Sequence, residues 1–183
     1  MFIGIILILL TLFLSKYLPK KLRFFYCLGI FIRISVAILN TNIGLPGGRG
    51  DALRFFRLSL SIKDYFDYYN LYEKSGLKSL IIGTKTYVYF HHFLQKISII
   101  PSFFASHCLS ILISGISILF IIKTYFLLNN STLKGARSIL IIYSLCPTLI
   151  TNQTFVLREC FQTLVITMLI FCPIYMRYLR EKV

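Results

Sequence analysis

One carboxylate and three guanidinium groups fall close together in Leu45-Pro-Gly-Gly-Arg-Gly-Asp-Ala-Leu-Arg-Phe-Phe-Arg: Asp51 with Arg49, Arg54 and Arg57. Pro46, Gly47, Gly48 and Gly50 stop a preceding helix and let the backbone turn. Asp51 then opens a helix-compatible stretch. Arg54, Arg57, Ser61 and Asp64 recur at i, i+3, i+7 and i+10, with Leu53, Phe56 and Leu60 as an apolar stripe beside them. A carboxylate held beside cations suits a reaction on a phosphate-linked lipid. The carboxylate takes the proton of an attacking hydroxyl, and an arginine steadies the leaving phosphate. The same residues also fit plainer roles, Asp51 as a helix N-cap and the arginines on lipid head groups. Arg49-Gly50-Asp51 spells an adhesion tripeptide, but three letters recur by chance.

A second charged pair, Arg158-Glu159, lies in Thr154-Phe-Val-Leu-Arg-Glu-Cys, just after Asn152 and Gln153. It reads either as part of a substrate site or as a local ion pair anchoring a helix end. His91 and His92 follow Tyr87, Tyr89 and Phe90. Adjacent histidines leave a helix on different faces and make a poor metal pair, so an interfacial aromatic belt is expected there, with His91 a further candidate substrate contact. Walker A, GxGxxG and GxSxG motifs are absent, as is a regular series of gating charges, which argues against an ATPase, a nucleotide-dependent oxidoreductase, an α/β-hydrolase and a voltage sensor. The five cysteines form no CxxC pair. No metal or cofactor is implied.

The elements that must position these groups are set by composition. Of 183 residues, 57% are hydrophobic and 14% charged, and mean hydropathy is +0.77. A soluble domain carries about 25% charge. A disordered chain is excluded, and a membrane protein with several spans is expected. The net charge of +14 would point to nucleic acid in a soluble protein. In a membrane protein it belongs in cytoplasmic loops, so no nucleic acid partner is expected.

Apolar runs place spans at residues 2–15, 24–41, 97–122, 138–151 and 160–176, with a long loop over 42–96 that includes an interfacial or re-entrant helix at 79–96. The fold expected is an all-α integral membrane bundle of about five transmembrane helices, one domain, with an interfacial helix in its first long loop. The first run is short for a span, and its basic residues follow it rather than precede it, so it reads as a span and not as a signal peptide. His107 and Arg33 fall inside spans, where each should face the bundle interior or water, or in the case of Arg33 reach an interface. Pro147 and Pro173 should kink their helices. Gly115 with Ser114 and Ser117 is the best candidate for close helix packing.

Charge bias sets the sidedness. Lys16, Lys20, Lys21, Arg23, Lys123, Lys134, Arg137, Arg177, Arg180 and Lys182 fall on one side with Glu181 as their only acid. By the positive-inside rule that side is cytoplasmic, with the C-terminus. The loop carrying Asp51 and the turn carrying Arg158-Glu159 then share the outer face of the membrane.

With those residues placed, the chain resembles bacterial membrane proteins of surface-polysaccharide assembly. Gly-Asp-Ala-Leu-Arg-Phe at the head of the first outer loop, and Cys146-Pro-Thr-Leu-Ile…Leu157-Arg-Glu further on, are similar to segments of GT-C superfamily glycosyltransferases. The resemblance covers about residues 24–170 through short motifs. It implies a polyprenyl-phosphate-linked sugar as donor, a cell-surface glycan or lipid as acceptor, Asp51 as base, and Arg158 or Arg54 on phosphate, at a bacterial inner membrane. The chain departs from the pattern in two ways. Ala52 follows Asp51 where the family often has Glu, and about five spans stand where eight or more are usual. Two alternatives follow: a repeat-unit polymerase of the O-antigen or capsule type, and a non-catalytic truncated or accessory protein needing a partner membrane subunit.

Overall fold

The computed structural model describes residues 2–45, 50–61, 81–97, 102–129, 132–154 and 159–181. All regular structure among them is helical. The helices are α1 (Phe2–Phe13, with a 3-10 turn at Leu14–Tyr17), α2 (Lys20–Asn42), α3 (Gly50–Ser61), α4 (Ile81–Ile97), α5 (Phe103–Leu128), α6 (Leu133–Leu145), α7 (Pro147–Thr154) and α8 (Glu159–Arg180). Three of them, α2, α5 and α8, are long and apolar enough to cross a membrane, as in a multi-pass membrane protein.

Local chemistry sets the ends. Pro19 precedes α2, at the position where a missing N–H costs nothing. Gly44 follows α2 with φ 80°, and its N–H reaches back to the Leu39 carbonyl at 3.3 Å, a left-handed cap that glycine adopts without a Cβ penalty. Ser102 caps α5, its hydroxyl accepting from the Ala105 N–H at 3.3 Å. That cap moves the start of α5 to residue 103, six residues beyond the start expected at 97.

The expected fourth span, 138–151, is not one helix. It breaks at Cys146-Pro147 into α6 and α7, neither long enough to span alone. Proline has no N–H for the carbonyl four residues back, and its ring crowds that turn. Pro173, by contrast, sits inside a continuous α8.

The Tyr143 carbonyl is the group that Pro147 orphans, and Arg33 serves it. The Arg33 side chain, wholly buried in mid-α2, donates from Nη2 to that carbonyl at 2.9 Å and from Nη1 to the Gly29 carbonyl at 3.0 Å. Its guanidinium lies 3.7 Å from the Tyr143 ring centroid. A buried cation is costly. The aromatic face, the carbonyls and the negative end of the α6 dipole offset part of that cost. Of the positions open to Arg33 in the sequence, the bundle interior is the one it occupies.

The core is built around α5, nearly every residue of which from 105 to 119 is buried. A Cβ on Gly115 would stand 2.6 Å from the Tyr26 hydroxyl and 2.9 Å from Thr11 Cγ2, so glycine there lets α1 and α2 approach α5. Gly29 does the same between α2 and α6, where a Cβ would meet Ser144 Oγ at 2.7 Å. The Ser144 hydroxyl reaches the Phe25 carbonyl across that contact at 2.9 Å.

The bundle has two chemically distinct ends. At one end Lys123 Nζ lies 5.5 Å from the Tyr17 ring, Arg137 4.8 Å from the Phe25 ring, and Arg23 Nε donates to the Leu18 carbonyl at 3.0 Å. Phe120 and Phe171, 5.0 Å apart, bring the last turns of α8 to the same end. The opposite end carries the last turns of α2 and α7, the first turns of α5 and α8, and the helices α3 and α4.

Candidate functional site

The candidate site is that second, polar end. The final turn of α2 supplies Asn40. The first turns of α5 supply Ser106, His107 and Ser110. From α4 come His91, His92 and Gln95, and α8 adds Glu159 and Cys160. Asn40, His91, Ser106, His107, Ser110 and Cys160 are fully buried, so their polar atoms must be satisfied within the protein.

The hydrogen bonds fix orientations. The Leu45 N–H donates to Asn40 Oδ1 at 3.0 Å. Asn40 Nδ2, which can only donate, therefore faces His107 Nε2 at 3.1 Å. His107 must accept there, which puts its ring proton on Nδ1. The Phe103 ring lies 4.4 Å from the His107 ring, and the Thr154 main chain neighbours it on α7. Gln95 Nε2 donates to Ser106 Oγ at 2.9 Å, and its Oε1 accepts from the Ser102 N–H at 2.9 Å. One α4 side chain thus holds the cap of α5. Ser110, whose hydroxyl donates to the Ser106 carbonyl at 3.3 Å, lies beside Cys160 between α5 and α8.

His91 and His92 are both buried against the rest of the protein, so neither is an exposed interfacial side chain. Covered by α3 on one side and the bundle on the other, α4 leaves Tyr89, Phe90 and Phe93 on its open face. His92 Nδ1 lies 2.8 Å from the Ser59 carbonyl and must be its donor, tying α4 to α3. His91 faces His107, and burial first, then that second imidazole, pushes the His91 ring down to about 3. It is neutral at physiological pH.

The positions of the charged candidates follow from the helices that carry them. Asp51 and Arg54 lie in the first half of α3, which starts at Gly50, so Asp51 stands inside the first helical turn rather than before it. The helix docks on the polar end through Phe56, 5.3 Å from Phe103, and through Ser59. Arg57 is exposed. Glu159 opens α8 at the same end and is half-buried. Arg49 and Arg158 lie outside the described residues, as do the side chains of Asp51 and Arg54. Among the described residues, no three His, Cys, Asp or Glu side chains gather closely enough to hold a metal.

The sequence singles out His91, His107 and Glu159, but not Asn40 or Gln95. A polar residue at the end of an apolar run reads as a helix leaving the bilayer. The one available signal was that Asn40 lies a full turn before Gly44, where the helix still has its buried face. No family model, curated protein or solved structure matches the chain.

Proposed function

We propose that this chain is a membrane glycosyltransferase of the GT-C kind, moving a sugar from a polyprenyl-phosphate donor to a cell-surface acceptor. The observation that supports it is the docking of α3, which carries Asp51, Arg54 and Arg57, onto the polar end where α8 begins with Glu159. Cation-bearing and carboxylate-bearing segments that are distant in sequence meet at one end of the bundle.

In this reading the chain passes the membrane five times, as α1, α2, α5, the broken α6–α7 and α8. The polar end faces outward and the basic end faces the cytoplasm of a bacterial inner membrane. The acceptor hydroxyl oxygen attacks the anomeric carbon while its proton passes to Asp51. The bond from anomeric carbon to phosphate oxygen breaks, and polyprenyl phosphate leaves with the electron pair. Arg54, Arg57, Arg49 and Arg158 neutralise the phosphate and Glu159 lines the acceptor side, while His91, fully buried, stands behind the site rather than in contact with substrate. Surface glycan is measured in a deletion strain complemented with wild type or Asp51→Asn. Restoration by wild type alone, with both chains inserted equally, supports the reading. Equal restoration by Asp51→Asn ends the base assignment.

A second reading is non-catalytic. Asn40, His92 and Gln95 all bond to groups within the protein, as a purely structural lock would. In that reading the chain is an accessory subunit, and deletion leaves the glycan unchanged.

A further inference from the structure

The basic end carries a feature that the sugar-transfer reading does not use. Between α1 and α8, α5 leaves a strip in which Ile116, Phe120 and Leu127 are half-buried and Lys123 is exposed, at spacings of three and four residues. Two grooves flank the strip and share Lys123 as a wall. The wider, about 480 Å³, runs between α5 and α8 over Phe126, Phe171 and Tyr175. It falls within the usual range for ligand pockets, about 300–1,000 Å³. The narrower, about 170 Å³, runs between α5 and the turn after α1, over Leu14 and Tyr17. Both are lined mainly by carbon.

Lys123 stands exposed where the grooves meet. Its one electrostatic neighbour among the described residues is the Tyr17 ring, 5.5 Å from Nζ. The single described carboxylate at this end, Glu181, is already held by Arg177 at 2.8 Å. The arrangement is one uncompensated cation between two apolar channels on the flank of a helix long enough to span a membrane. We infer that Lys123 binds the phosphate of a two-chain anionic phospholipid, with one acyl chain lying in each groove. One phosphate matches one ammonium, and two chains match two grooves. A zwitterionic lipid would bring its own cation against Lys123 and gains less there. Lys16, Lys20 and Arg180, at the same end of the bundle, add a field of the same sign.

The chain contains no Trp, which makes the test clean. Phe126→Trp puts a single fluorophore in the wider groove, and Leu127→Trp is a second reporter should the first fail to fold. Each protein is reconstituted in phosphatidylcholine vesicles containing a fraction of lipid with brominated acyl chains, either phosphatidylglycerol or phosphatidylcholine. Brominated phosphatidylglycerol should associate about fivefold more strongly than its phosphatidylcholine counterpart, the worth of one lysine near the surface. Lys123→Gln should abolish that preference, and Lys134→Gln should leave it intact. Equal quenching by both lipids would overturn the site. So would a preference that survives Lys123→Gln, since the basic end as a whole would then be attracting the lipid.

Discussion

Replacing Asn40 with Leu tests the polar end most directly. The side chains are similar in volume, so the change removes hydrogen bonds without opening a large cavity. Two bonds are lost: Asn40 Nδ2 to His107 Nε2 at 3.1 Å, and Leu45 N–H to Asn40 Oδ1 at 3.0 Å. His107 Nε2 would be left buried without its donor, at a cost of about 1–3 kcal/mol. The Leu45 N–H lies at a less buried turn where water can replace the amide, so its loss adds about 0.5–1.5 kcal/mol. The total expected is about 1.5–4.5 kcal/mol. The Asn40–His107 bond alone is smaller: hydrogen bonds between membrane helices average about 0.6 kcal/mol, with a maximum near 1.7, by double-mutant cycles. The assay is reversible unfolding in mixed micelles for the wild type, Asn40→Leu, His107→Phe and the double variant. The single Asn40→Leu loss should exceed the pairwise coupling, because it also orphans the turn at Leu45. That turn leads into the segment before α3, so α3 should become more accessible to protease while α5 does not. A loss below about 0.5 kcal/mol, or a coupling of zero, would refute the assigned orientation of Asn40.

Three further outcomes are expected. Gly115→Ala should destabilise the bundle by about 1–3 kcal/mol, because the Cβ meets Tyr26, itself fully buried and bonded to the Thr11 carbonyl; Tyr26→Phe in the same background should recover part of the loss in the same micelle assay. The folded His91 ring sits at about 3 against 6.5 for the free side chain, so the unfolded state takes up the proton first. The contribution of His91 to stability should be level above about pH 6.5 and fall as pH drops towards 3, by at most about 1.4 kcal/mol per pH unit; His91→Gln should make that part of the profile shallower by up to that amount, and an unchanged slope would show that His91 does not contribute to it. Arg33→Ala leaves the Tyr143 carbonyl without a donor and should cost several kcal/mol, whereas adding Pro147→Ala restores a backbone N–H four residues on and should return about 1–2 kcal/mol of it; if the two losses simply add, Arg33 is not serving the carbonyl that Pro147 frees.

What could be read in the sequence was what depends on neighbours along the chain. The apolar runs located α2, α5 and α8, and Pro46 with its glycines marked the end of α2. The lysines and arginines outside the first long loop and the spans grouped as short basic segments, and the helices gather those within the described residues at one end of the bundle. What could not be read was pairing across distance. Arg33 and Tyr143 are 110 residues apart, and Asn40 and His107 are 67 apart. Nothing local marks either as a partner. The break at Pro147 shows why this matters. A proline in an apolar run reads as a kink, because the sequence does not say whether anything else will serve the freed carbonyl. With Arg33 positioned to do so, the helix can stop altogether, and a buried cation becomes tolerable because a helix C-terminus and an aromatic face await it. The same logic separates the two ends. Exposed cations at the basic end need no partner, so their grouping survives in the sequence as charge bias. Buried neutral groups at the polar end exist only in pairs, each legible only once its partner is known. A substitution at the basic end should therefore change what the surface attracts and little else, whereas one at the polar end should be felt in the partner helix before it is felt in any reaction.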